Sequence, residues 1–251
     1  MGLIYQIAKG HIKDYAEGTK LFDYSLVNVG KPDVSVKLSP LTRKEVETLL
    51  HDLDAMANDA QYPEIARAVA AEVPAIIDAV RMVNAETKQG YGGMRAVGGE
   101  LDVGWLIPEM IGNTTLLNNA ATATKGIYTT ANGTRTWTKT FTAGTSASII
   151  PSQQMVQYAA CVHIGAIDTI DIPKANRIRF TLSGVNTGLQ PLNFSHREKR
   201  SDSDTAFTKF KQSIIAGPLK TQAVDIFPYL TGDSKIELLT VLIAIAESLT
   251  L

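Results

Sequence analysis

Cys161 and His163 stand two residues apart in QYAACVHIGAI. A thiol beside an imidazole can act as a nucleophile with its base, or as two ligands of one metal ion. On an extended strand that spacing puts both side chains on one face. Either chemistry needs a third group, and the neighbours Ala159, Ala160, Val162, Ile164 and Gly165 supply neither a carboxylate nor another ligand. The pair therefore reads as a buried thiol beside a hydrogen-bonded histidine. Glu47 and His51 lie four apart, followed by Asp52 and Asp54, but the H-E-x-x-H order of zinc hydrolases is missing. Pairing along a helix surface accounts for them. GTSAS, from Gly144 to Ser148, lacks the second glycine of a serine nucleophile elbow.

Glycines 90, 92, 93, 98, 99 and 104 crowd the stretch from Lys88 to Trp105 and invite comparison with phosphate-binding loops. Position 95 is Arg where G-x-G-x-x-G needs glycine, and Gly99 and Glu100 stand where a Walker loop needs Lys and Ser or Thr. A flexible connector or extended arm is expected there. No catalytic residue, cofactor or metal site is predicted, and the chain is expected not to be an enzyme. SHREKRSDSD, from Ser195 to Asp204, is the densest run of charge. Five basic residues against three acidic ones between His196 and Lys211 leave a local charge of about +2, which salt screens within ~8–10 Å. A specific ion-pair partner suits this run better than long-range attraction to a polyanion.

The totals exclude further classes. Lys and Arg number 24 against 25 for Asp and Glu, so the clear basic excess of a protein built to grip nucleic acid is absent, and direct nucleic-acid binding is not expected. The single cysteine allows neither an internal disulfide nor a thiolate zinc cage, which suits a reducing compartment. Lys9, His11, Lys13 and Asp14 interrupt the first residues, so no secretion signal is read. Gln6 stands where a myristoylation motif wants Ser or Thr. The longest apolar run, Leu238 to Ala246, is about half the length a membrane helix needs, so no membrane span is expected.

Two kinds of element must position whatever the chain does. Val46, Leu49, Leu50, Leu53, Met56, Ala57 and Ala60 recur at three-and-four spacing behind a Thr42/Glu45 capping box, with Leu41 placed to staple against Val46. Ile65, Val69, Val73, Ile76, Ile77, Val80 and Val83 extend a second helical face, with Pro63 suited to its first turn and a kink or break expected at Pro74. From about residue 127 the period shifts to two, as in TRTWTKTFT and NRIRFTLSG. Further strands are expected in MVQYAACVHIGAIDTIDI, LQPLNFS, FTKFKQSII and KTQAVDIFPYL. The final run, SKIELLTVLIAIAESLTL, is apolar on both faces, as a central strand covered on both sides would be; burial against a second subunit is the other way to cover it. The predicted fold class is α+β: a helical N-terminal region with a Gly-rich connector over 1–110, then an antiparallel β-sandwich, jelly-roll-like, over 111–251.

IPKANRIRFTLSGVNTGLQPLNFSHRE and KTQAVDIFPYLTGDSKIELLTVLIAIAESLTL resemble sandwich strands of the capsid, coat and other virion proteins of prokaryotic viruses. The likeness is one of style over the β-rich C-terminal half. It implies a protein that assembles with itself, and with other virion proteins, into a homo-oligomeric shell, in the virion and in the host cytoplasm where it forms. Candidate contact elements are Met1–Lys20, the arm Gly90–Trp105, the loop His196–Asp204 and the terminal strand. The residues expected at subunit interfaces are Trp105, Arg197, Glu198, Lys199, Arg200, Leu239, Val241 and Ile243. A carbohydrate- or ligand-binding sandwich is the alternative, with Trp105, Tyr128, Trp137 and Tyr158 as its aromatic platform. An enzyme ranks third.

Overall fold

A computed structural model describes residues 2–17, 41–58, 64–90, 100–107, 136–155, 157–168, 170, 172–192 and 207–246. Helix α3 (Arg43–Ala57) begins at the expected capping box, in which the Thr42 hydroxyl accepts from the Glu45 backbone N–H and the Glu45 carboxylate accepts from the Thr42 N–H. The second helical run is two helices, α4 (Glu64–Ala71) and α5 (Val73–Gly90). They break at Glu72, so Pro74 falls in the first turn of α5, where its missing donor costs nothing. Pro63 lies outside the described residues. Ahead of these, α1 (Leu3–Ala8), a short 3-10 turn (Lys9–His11) and α2 (Ile12–Glu17) add two small helices without a sequence expectation behind them.

The strands form two antiparallel sheets. In the first, β1 (Glu100–Trp105) and β2 (Thr136–Phe141) lie end to end along β9 (Gly232–Ala246). β9 in turn pairs with β4 (Ala159–Asp168), and β4 with β7 (Phe207–Ala216). The second runs in the order β3 (Ala147–Gln154), β8 (Thr221–Pro228), β5 (Ala175–Leu182), β6 (Val185–Pro191). Taking β1 and β2 as one strand, the pairing is nested: first with last, β3 with β8, β4 with β7, β5 with β6. The last part of the expected glycine-rich arm is thus not a free connector. Residues 100–105 hydrogen-bond to β9, while 91–99 lie outside the described residues. β3 had no expectation behind it because Pro151 interrupts its run. The structure accommodates the proline on a sheet edge, within the register shift between Ile150 and Gln153.

The layers explain the two-sided burial of the final strand. Leu239, Val241, Ile243 and Ile245 pack with Val46, Leu50, Ile76 and Val80 of the helices. Ile236, Leu238, Leu242 and Ala244 face the other way, against Ile178, Phe180, Val224 and Ile226 of the second sheet. β4 alternates likewise until Ile164, an extra residue that shifts the register between His163 and Gly165. At Gly165 a Cβ would meet the Thr208 carbonyl oxygen at 2.6 Å and a Phe207 ring carbon at 2.9 Å. Gly165→Ala should therefore push β7 away from β4 and cost ~1–3 kcal/mol in urea denaturation. An unchanged midpoint would mean the two strands are not this close.

Long-range polar contacts tie the small helices down. The Asp54 carboxylate on α3 accepts the backbone N–H groups of Ile4 (2.7 Å) and Tyr5 (3.1 Å), capping α1 from another element. Tyr5 also stacks on His51, with centroids 4.7 Å apart. A six-residue helix does not persist alone, so these contacts and buried Ile4 hold it. Of the expected contact element Met1–Lys20, Ile4, Ala8, Tyr15 and Ala16 are buried within the subunit, whereas Leu3 and Ile7 are exposed. At the α4–α5 break Glu72 pairs with Lys209 of β7 at 2.6 Å, joining the helical layer to a sheet edge.

Candidate functional site

Among the described residues, the polar cluster between the sheets gathers buried titratable groups, and the end of the sandwich where the loops meet carries exposed apolar ones.

His163 is fully buried, and both ring nitrogens are engaged: Nδ1 with the Thr240 hydroxyl at 2.7 Å and Nε2 with Gln222 Oε1 at 2.9 Å. The Gln222 oxygen only accepts, so Nε2 carries the proton and Nδ1 accepts from Thr240. β4 and β9 belong to one sheet and β8 to the other, so the imidazole bridges the layers. Its ring also packs on Phe180, with centroids 4.8 Å apart. Burial, only partly opposed by the Gln222 bond, lowers the His163 pKa to about 4. The Cys161 thiol lies against Met155 Sδ (3.9 Å) and Gln222 Nε2 (3.8 Å), and burial pushes its pKa up to about 12. A thiol held neutral, beside an imidazole with no free nitrogen, has neither the thiolate nor the base that attack requires. The cluster serves as a polar link between sheets. Among the described residues no three His, Cys, Asp or Glu side chains converge as a metal site.

The expected interface residues separate into three groups. Leu239, Val241 and Ile243 are fully buried under the subunit's own helices, which corrects their assignment to a subunit interface: the surface is already covered from within. Trp105 is half-buried on the same side, its indole N–H donating to the Met56 carbonyl at 3.1 Å. Arg197, Glu198, Lys199 and Arg200 lie outside the described residues. The proposed aromatic platform is not assembled either. Trp105 packs on the helical side of the first sheet and Trp137 is buried on the opposite side, while Tyr158 is half-buried and Tyr128 lies outside the described residues.

Of the exposed apolar side chains that sequence reasoning missed, Val185, Leu189 and Leu219 lie on β6 and the β7–β8 turn, and three more gather at the loop end. Ile172 is 60% exposed, Tyr229 37% and Leu230 38%. The β4–β5 loop meets the β8–β9 turn through the Lys174 carbonyl, which accepts from the N–H groups of Tyr229 (2.9 Å) and Leu230 (3.4 Å). The β2–β3 turn joins them, with the Gly144 N–H on the Pro228 carbonyl and the Ala143 N–H on the Thr231 hydroxyl. Leu192, bonded to the Asn176 carbonyl, and Phe207, paired with Ile167, place the two flanks of the charged run at this same end. Under these loops Asp168 is buried, its Oδ1 accepting from the Ile170 N–H at 3.1 Å and its Oδ2 from the Ser234 hydroxyl at 3.3 Å. In sequence these apolar residues are unremarkable, because the elements presenting them are about 55 positions apart.

No protein-family model matches the chain, and no curated protein sequence does. Two solved structures show weak likeness. Dimeric latent PorU from Porphyromonas gingivalis is 17% identical with a TM-score of 0.24, over 44% of this chain and 10% of that one. The infectious bursal disease virus VP2 subviral particle is 8% identical with a TM-score of 0.28, over 46% of this chain and 31% of that one. This chain thus spans a small part of either protein's length, and neither likeness assigns it a role.

Proposed function

We propose that the chain is a self-assembling shell subunit of a virion, a jelly roll that acts through contacts between copies, with assembly in the host cytoplasm. The observation that carries this reading is the nested strand order, with β1 and β2 on β9, β3 on β8, β4 on β7 and β5 on β6, wrapped into two facing sheets. We read this order as a jelly roll, an architecture used by viral shells and by lectins. Among the described residues the polar cluster is sealed and the tryptophans are on opposite sides of one sheet, an arrangement that does not favour the lectin alternative. Exposed apolar side chains also stand at Val185, Leu189 and Leu219, but Ile172, Tyr229 and Leu230 are drawn together by paired loops at one end, and such a group suits a contact between copies. No helix among the described residues is long and apolar enough to cross a membrane.

The test is assembly of the purified protein, followed by light scattering and negative-stain microscopy. Large regular particles support the reading; a stable monomer that binds a glycan overturns it. Within it, Ile172→Ser with Leu230→Ser should lower the assembled fraction at least tenfold while leaving the melting temperature within a few degrees, since exposed sites contribute little to folding. Arg197→Glu with Arg200→Glu should also impair assembly before it unfolds the subunit. Unchanged particle yield in both variants would remove the loop end as the contact.

A further inference from the structure

We propose that Asp168 is a pH-sensitive clasp for the loop end of the sandwich, closed more firmly in mild acid and opened more easily at neutral pH and above. Its carboxylate sits where three segments meet: the end of β4, the β4–β5 loop through the Ile170 N–H, and the start of β9 through Ser234. Lys174 closes the other side. Its carbonyl holds Tyr229 and Leu230, and its side chain lies over Gly232, whose φ of +139° is one that residues with a Cβ rarely adopt. Opening the loop end therefore exposes Asp168 to water, and closing it buries the group again.

The direction follows from that burial. Desolvation outweighs the opposing hydrogen bonds from Ile170 and Ser234 and the Lys174 charge, and pushes the carboxyl up to about 6 when the clasp is closed. A solvent-exposed carboxyl titrates near 4. The closed form binds the proton more tightly, so protonation favours closure, and ionisation at higher pH favours opening. The other charged groups nearby act elsewhere: Lys139 donates to the Ser148 carbonyl, Lys209 pairs with Glu72, Asp233 accepts from Thr140, and Lys235 and Glu237 alternate to the other face of β9. The clasp does not depend on the shell reading. If that reading holds, the clasp regulates how firmly Ile172, Tyr229 and Leu230 are presented to another copy.

Amide hydrogen exchange at Ile170 and Tyr229, corrected for intrinsic rates, tests it on the intact chain. Protection in the wild type should rise about tenfold between pH 7 and pH 5, the linkage expected for these two titration points. Asp168→Asn, which cannot ionise, should show no such slope. A flat wild-type profile, or the same slope in the variant, overturns the clasp. Should the variant fail to fold, carbon NMR of the wild-type Asp168 carboxyl decides: a midpoint near 6 supports it and one near 4 overturns it. Particle formation is scored separately, so a chain that never assembles defeats the shell reading while exchange still judges the clasp.

Discussion

Replacing His163 with leucine is expected to destabilise the subunit by ~2–5 kcal/mol and to make its stability rise in mild acid. The leucine fills the space but offers no nitrogen, so Gln222 Oε1 and the Thr240 hydroxyl lose their imidazole partner inside a sealed core. Each group left unsatisfied there costs ~1–3 kcal/mol. The folded pKa of His163, about 4, lies below the usual value of 6.5, so the native state resists the proton that the unfolded chain accepts. Its contribution is complete above about pH 6.5 and is lost as pH falls towards 4, to a total of ~3 kcal/mol. Asp168 works in the opposite sense: its raised pKa means that folding gains as pH falls through about 6. In the wild type the two nearly offset. In His163→Leu the imidazole's opposing contribution is gone, leaving Asp168 and, in the same sense, the burial-raised carboxyl of Asp52, so urea midpoints should increase from pH 6.5 to pH 4.5; in Asp168→Asn they should fall. A variant with wild-type stability at pH 7 would show that the bridge between sheets contributes nothing.

Val241→Asp is expected to unfold the subunit outright. Val241 is fully buried beneath the helical layer, opposite Val162 on β4 and Trp105 on β1. An aspartate there has no cation to pair with among its apolar neighbours, and its burial costs several kcal/mol, whether it is ionised or forced neutral. Against a total stability of ~5–15 kcal/mol that is enough to empty the native state. Val241→Ala, which removes only two methyl groups, should cost ~1–3 kcal/mol and leave a folded protein. Circular dichroism and size-exclusion chromatography distinguish the outcomes. A Val241→Asp chain that folds as a monomer and merely fails to assemble would return this strand to the subunit interface.

These variants mark how much was legible beforehand. The capping box at Thr42, the apolar face of α3 and the alternation of Ile178 and Phe180 are local signals, carried by residues two to four apart, and the elements form where they predict. The break near Pro74 was legible for the same reason, displaced by two residues because the proline is accommodated at a helix start. β3 was missed because Pro151 suppresses the signal that its edge position makes harmless. The cap that Asp54 places on α1 spans 50 residues and leaves no local trace.

From the sequence alone came the division into a helical and a β-rich part, the two-sided burial of the last strand, and the structural character of Cys161 and His163. Only the tertiary structure decided what covers that strand, which puts Leu239, Val241 and Ile243 under the subunit's own helices rather than against a neighbour. It also decided the nested strand order and the gathering of Ile172, Tyr229 and Leu230 at one end. The reason is physical: periodicity records that a face must leave water, but every apolar surface satisfies that demand equally. Which surface it meets is set by the packing of segments far apart in the chain, and that choice is made only when the layers come together.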